Sequence, residues 1–437
     1  MLSLKSSTKK LRNNSKAEGR QTFLGNFLGE VMKFKYVCLD CGSEFVSDEI
    51  MYLCPNCGGS EKEGEFRKGV LSVIYDEDEL KRLKEKDHVT MYDFFPYEIK
   101  NKDAYPVGST PVVRPIKLSK RYNINNLTLK LDSQLPSGSF KDRASQLIVA
   151  QAQAHNVTKI ALASTGNAGA AMSCAGAAYG LDIVLFVPAT APINKLMQSV
   201  LYGAHVVPVK GTYDDAFKLS IEYTKLFGGI NRNTAYNPMT IEGKKSISIE
   251  LFEDLGRRAP DVIYVPTGDG CIFGGVWKGF YDLLSAGLID KMPHLVCAQA
   301  EKSNAISQAF RTGEMKETKA TTRADSISVN NPANGRMAVY GIKHSDGWSV
   351  EVSEEEILSA QMELTKDAGV FVEPAAACAF AAFKKDSENV RAKFGDDALV
   401  TVLLTGTGFK DMAVFDNRVT LPQAIENSVE EVKKLNF

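Results

Sequence analysis

Apolar residues in this chain follow two rhythms that alternate. Short, near-continuous apolar runs rich in β-branched residues fall at 127–131, 159–163, 183–187, 205–209, 262–265, 295–298 and 399–404. Between them apolar positions recur at helical spacing, as at 144–154, 168–179, 213–227, 243–255 and 354–366. Runs that are apolar throughout predict strands buried on both faces, and strands alternating with helices predict parallel sheet covered on both sides. The fold class is therefore α/β, with parallel sheets flanked by helices. Ahead of this region, 76–86 reads as a charged surface helix. The stretch 105–111, with two prolines and a glycine, reads as a loop leading into the main body. No internal repeat or long linker is visible.

Composition narrows the class. The chain has 437 residues, enough for two or three domains with sizeable cores. Lys and Arg number 52 against 53 Asp and Glu, so the overall balance argues for neither nucleic acid nor an acidic substrate. Eight cysteines do not make a disulfide scaffold at this length, and neither a signal peptide nor a membrane-length apolar run occurs. The expectation is a soluble cytoplasmic protein with no membrane and no nucleic-acid partner. Residues 1–33 are mostly polar and basic, with Lys5, Lys9, Lys10, Arg12, Lys16 and Arg20. They read as a disordered tail, with a transit peptide as the alternative. Residues 421–437 read as a C-terminal tail or helix.

Two CxxC pairs, Cys38/Cys41 and Cys54/Cys57, lie within 34–63 and are each followed by a glycine. Four thiolates at this spacing satisfy tetrahedral zinc and leave no open position, so the site is structural and the segment is a zinc ribbon. Glu44, Asp48, Glu49, Glu61, Glu63 and Glu65 surround it. A ribbon without a basic, aromatic face is a prop or docking knob rather than a nucleic-acid reader.

The stretch 136–143, Pro-Ser-Gly-Ser-Phe-Lys-Asp-Arg, joins the run at 127–131 to the helical pattern at 144–154. Ser137 or Ser139 can cap the new helix. Lys141 then falls in the first turn, where the positive end of the helix dipole disfavours an ammonium ion, and a lysine amine so placed suits Schiff-base chemistry with an aldehyde. The plainer alternative is a surface lysine paired with Asp142. In parallel sheets ligands collect at the carboxyl ends of strands, and three further loops stand there. Ser164, Thr165 and Gly166 precede Asn167 and an Ala-rich helix, a turn suited to a carboxylate. Gly268, Asp269, Gly270, Cys271 and Ile272 follow the run 262–265 and open another helix, as phosphate-holding loops do, without the Walker or Rossmann spacing. Thr405 ends the last apolar run, and Glu373-Pro374 starts a buried Ala-rich helix.

A lysine, a carboxylate turn, a phosphate loop and a strand-end hydroxyl together suit pyridoxal phosphate and an amino acid. The chain resembles the fold-type II pyridoxal-phosphate enzymes, and among them the threonine synthases. The resemblance is carried by SGSFKDR around Lys141, STGN at 164–167, YNPMTIEGKKS at 236–246 and the glycine loop. It continues through NPAN at 331–334, FVEPAAACA at 371–379 and LTGTGFKD at 404–411. It implies two domains within 64–420, a smaller mobile one over 142–235 and a larger one from the remainder, and a homodimer. It implies that Lys141 holds the cofactor and moves protons, with Phe140 against the ring, Asn167 at the 3′ oxygen and Thr405 at the pyridine nitrogen. Gly268 to Ile272 would hold the cofactor phosphate, while Ser139, Ser164, Thr165 and Gly166 would hold the substrate. The implied reaction converts O-phospho-L-homoserine and water to L-threonine and phosphate by γ-elimination and β-addition. Two positions depart from the family pattern: Ala168 and Thr240 stand where members carry a threonine and an arginine that contact the substrate phosphate. The alternative is therefore a cysteate-synthase-like β-replacement on O-phosphoserine, or another lyase using the same cofactor.

Overall fold

The computed structural model describes residues 32–415 and 423–435. The basic tail expected at 1–33 lies outside the described residues except for its last two positions. Thirteen strands run through what is described. They are β1 (Phe34–Cys38), β2 (Glu44–Phe45), β3 (Leu71–Tyr75), β4 (Val112–Val113), β5 (Asn126–Leu131), β6 (Lys159–Ala163), β7 (Asp182–Pro188), β8 (His205–Val209), β9 (Ile230–Asn231), β10 (Val262–Pro266), β11 (His294–Ala300), β12 (Trp348–Val352) and β13 (Leu399–Leu404). They form three sheets: antiparallel β2-β1-β3 at the cysteine segment, β12-β11-β10-β13-β5-β4, and β8-β7-β6-β9.

The two larger sheets are parallel except for the edge pair β4–β5. Their central strands are buried along their whole length in β10 and β13, as runs apolar on both faces require. The helix Pro374–Phe394 packs its buried small residues, Ala375 to Ala382, and the rings of Phe380 and Phe383 against the six-stranded sheet. Because neighbouring strands run the same way, the carboxyl ends of β5, β10 and β13 open on one edge of that sheet. The loops leading from them are therefore close together although they are far apart in sequence.

The helix pattern at 243–255 is realised in pieces. A short helix, Met239–Glu242, passes through the tight turn Gly243–Lys245 into the helix Ser246–Asp254. The reason is a close crossing: a Cβ at Gly243 would lie 2.5 Å from the Arg143 carbonyl oxygen. At 354–366 the α-helix stops at Glu363 and a wider π-turn continues to Ala368.

Candidate active site

The turn after β5 is pinned from two sides before the next helix begins. Phe140 N–H donates to the Thr405 carbonyl at 2.8 Å, Thr407 N–H to Gly138 at 3.0 Å, and Glu373 N–H to Gly406 at 3.0 Å. Gly138 has φ +80, a backbone state that favours glycine. The helix Lys141–Ala154 starts without the expected serine cap. Its N-cap is Phe140 in helical conformation, and the Ser137 and Ser139 hydroxyls face one another at 3.5 Å. Asp142 faces away from Lys141. Its carboxylate accepts from Tyr105 Oη at 2.5 Å and from Ser137 N–H at 2.8 Å.

Lys141 opens into a cleft with about 370 Å³ of empty volume. Of the residues singled out from the sequence, the cleft brings together Ser139, Phe140, Lys141, Asn167, Gly268, Asp269, Ile272 and Thr405. Gly270 and Cys271 continue the glycine loop behind its wall. Ser164, Thr165 and Gly166 lie in the adjoining turn, where the Ser164 hydroxyl accepts from Gly166 and Gly169 N–H at 3.3 and 3.0 Å. That hydroxyl keeps its own proton to donate.

Ser326, Ile327 and Glu373 also line the cleft. Asn167 Nδ2 donates to Glu373 Oε2 at 3.0 Å and to Ser326 Oγ at 3.1 Å, so two distant segments hold the amide. Burial pushes the Glu373 carboxyl up, against the opposing pull of Asn167, Lys410 and Lys141. Nothing periodic marks Ser326 or Ile327 in the sequence, and only the fold brings them here.

The glycine loop is shaped by close approach. A Cβ at Gly268 would lie 2.8 Å from Ile327 Cα, and Gly270, at φ +82, would place one 2.7 Å from the Asn334 carbonyl oxygen. The helix Cys271–Ser285 begins here, beside the cleft, and the first turn of a helix leaves backbone N–H groups without intrahelical partners. Asp269 Oδ1 accepts one of them, from Cys271, at 2.8 Å. Burial raises the Asp269 carboxyl, but Lys141 and Lys244 outweigh it and hold the group below its usual range. Lysine, small-residue cradle and helix N-terminus fit a phosphorylated aldehyde cofactor: pyridoxal phosphate.

The four thiols of the ribbon converge. Cys38 and Cys57 sulfurs are 3.4 Å apart, Cys41 and Cys54 sulfurs 3.6 Å, and all four lie within 4.8 Å of one another. Zinc–sulfur bonds of about 2.3 Å place tetrahedral ligands about 3.8 Å apart, so the cluster fits a closed structural zinc site. Among the described residues no helix is long and apolar enough to cross a membrane.

A family model for pyridoxal-phosphate-dependent enzymes matches residues 104–406. The threonine synthase of Methanosarcina acetivorans is 31% identical over 414 residues, covering 92% of this chain and 98% of that protein. The threonine synthase of Mycobacterium tuberculosis (strain H37Rv) is 33% identical over 305 residues, covering 70% and 82%. Threonine deaminase isoform 2 from Solanum lycopersicum superposes with a TM-score of 0.63 at 19% identity, over 85% of this chain and 96% of that one. Maize serine racemase gives 0.61 at 20% identity, over 71% and 91%. The structural likenesses speak for the fold, and the sequence matches reach further: the chain belongs to the fold-type II pyridoxal-phosphate-dependent lyases of the threonine synthase family.

Proposed function

We propose that the chain converts O-phospho-L-homoserine and water to L-threonine and phosphate. The observation that carries this reading is the meeting of Lys141, Asn167, the glycine loop and Thr405 in one cleft. Pyridoxal phosphate, when bound, supplies an electron sink for the carbanions that the elimination requires. The chain supplies the rest. Lys141 Nζ would hold the cofactor at its aldehyde and would move protons at the substrate's α and β carbons. Gly268 to Ile272 would hold the cofactor phosphate through backbone N–H groups. Glu373 and Ser326 fix the Asn167 amide, which would meet the cofactor's 3′ oxygen. Thr405 would meet the pyridine nitrogen with a neutral hydroxyl, a partner that is not an acid. Ser139, Ser164, Thr165 and Gly166 hold the substrate carboxylate.

One feature favours a second reading. Thr240 is fully buried, its hydroxyl donating to the Asn237 carbonyl at 2.7 Å and accepting from Ala235 N–H at 3.2 Å, so it does not replace an arginine's reach. Ala168 carries no hydroxyl at all. A substrate with a shorter chain, O-phosphoserine, would then undergo β-replacement in the same cleft. Purified enzyme incubated separately with both phosphorylated amino acids, with free phosphate and amino-acid products measured, separates the readings. Threonine and phosphate from the first substrate are the expected result. Phosphate released only from the second would reject threonine synthesis. In Lys141→Ala the visible absorbance of the bound cofactor disappears together with activity.

A further inference from the structure

Among the described residues, fully buried lysines have carboxylate partners, with one exception. Lys130 meets Glu250 and Asp254, Lys245 meets Glu242 and Asp282, and Lys278 meets Asp282. Lys244 is equally buried, yet its Nζ has no hydrogen-bonding partner. No ion pair joins it to any described carboxylate. Arg232, just beyond β9, is 1% exposed. Its Nη1 donates to Thr234 Oγ1 at 3.0 Å, whereas Nε and Nη2 have no partner. Leaving a buried cation without a partner carries a penalty of several kcal/mol, so two such cations ask for an anion.

The groups around them say where that anion sits. The charges of Cys271, Lys141, Asp269 and Arg232 act on Lys244, and those of Tyr213, Cys271, Asp269 and Tyr105 act on Arg232. Both surroundings converge on the first turn of the helix Cys271–Ser285. The stem of Lys244 packs against the turn that follows so closely that a Cβ at Gly275 would lie 2.6 Å from Lys244 Cβ. Asp269 is the one carboxylate in either set, and it already accepts from Cys271 N–H. A loop that relied on backbone N–H groups alone would present a dianion with this like charge. Three cations, Lys141, Lys244 and Arg232, reverse the sign.

We propose that Lys244 and Arg232 form a side-chain subsite behind the glycine loop that grips the phosphate of pyridoxal phosphate and offsets its repulsion by Asp269. The assignment rests on the cofactor reading given above. It also assigns a use to the free state of Lys244. Burial lowers its ammonium to about 8, with Lys141 and Arg232 adding to the fall and Cys271 and Asp269 opposing it. The phosphate grip is therefore present below that pH and weakens above it.

The test compares cofactor-free wild type, Lys244→Met and Lys244→Gln, prepared from the holoenzymes. Dissociation constants are measured for pyridoxal 5′-phosphate, for pyridoxal and for inorganic phosphate as a competitor. Loss of one charge-assisted hydrogen bond should weaken pyridoxal 5′-phosphate by about tenfold to a hundredfold and abolish phosphate competition. Pyridoxal, lacking the phosphate, should bind all proteins alike. In the wild type, phosphate competition should decline as pH rises through about 8, a readout that needs no variant to fold. Unchanged cofactor affinity with a raised KM for O-phosphohomoserine would move the subsite to the substrate and overturn the proposal. Equal affinities in all three proteins, or a flat pH profile in the wild type, would overturn it too. A wild type that binds no pyridoxal 5′-phosphate at all would reject the functional reading along with this one.

Discussion

Asp142 follows Lys141 in the chain and turns its carboxylate the other way, into the molecule. It is fully buried, and burial pushes its carboxyl up to about 6 despite the hydrogen bonds from Ser137 and Tyr105. The native chain therefore keeps a proton there to higher pH than the unfolded chain, whose carboxyl titrates near 3.8. Stability from this group is full below that lower value and is lost as pH rises through the upper one, by about 3 kcal/mol across the window. Asp142→Asn should remove that one-proton slope from denaturation free energies measured between the two pH values, whatever it does to absolute stability. A slope identical to wild type would contradict the buried, proton-holding carboxyl. At this scale the sequence was legible where neighbours in the chain are neighbours in space, as for Lys141 or the glycine loop. It was not legible for Lys244. A lysine loses its partners only when other segments surround it.

The ribbon and the segment across from it act as one element. Phe66 N–H donates to the Met315 carbonyl at 2.8 Å, Glu317 N–H to Gly64 at 2.8 Å, and Asn331 Nδ2 to the Glu65 carbonyl at 2.9 Å. Arg336 reaches Phe66 through Nε at 3.2 Å and Asp40 at 3.7 Å, and Asp40 in turn accepts from Gly69 N–H at 2.8 Å. Asp40 lies between the first two cysteines, and the strapped segment carries Ser326 and Ile327 to the cleft and Asn334 to the glycine loop. Zinc bound by the four thiolates would thus stiffen one wall of the cleft from a distance. Stripping the metal with a chelator should speed hydrogen exchange across 315–336 while the helix Pro374–Phe394 keeps its protection. Uniform exchange across both would show that the ribbon is a separate knob. The cysteine spacing revealed the metal site, but this strap joins segments about 250 residues apart, partly through main-chain hydrogen bonds, and no local side-chain pattern records it. For the same reason the short edge strand β4 and the two-residue β9 escape a hydrophobic pattern, whereas long runs such as β10 and β13 announce themselves.

Across the whole molecule, one buried network joins strand, helix and loop behind the cleft. Arg143 is completely buried. Its Nε and Nη2 donate to the two Asp132 oxygens at 2.6 and 2.9 Å, and its Nη1 donates to Glu250 at 2.9 Å and Ser246 at 3.1 Å. Lys130 on β5 completes the set against Glu250 and Asp254, at 2.5 and 2.7 Å. From the sequence Arg143 is only a second cation in a first helical turn, where the dipole disfavours it. The fold resolves the conflict by bringing a carboxylate from 132 and another from 250, about a hundred residues apart, to one guanidinium. Burial raises the Glu250 carboxyl, but Arg143 and Lys130 prevail and hold it well below its ordinary 4.5. Its contribution to stability is therefore full above that value and fades as pH falls below it. Arg143→Met removes the shared cation while leaving Asp132 and Glu250 buried, so it should destabilise the fold by about 3–5 kcal/mol in denaturant titrations at neutral pH. Arg143→Lys keeps a charge but not the forked donors, and should fall between the two. The deficit of the Met variant should shrink on acidification, as Glu250 in the intact network gives up its advantage. A Met variant as stable as wild type at neutral pH would mean that the network holds geometry rather than energy.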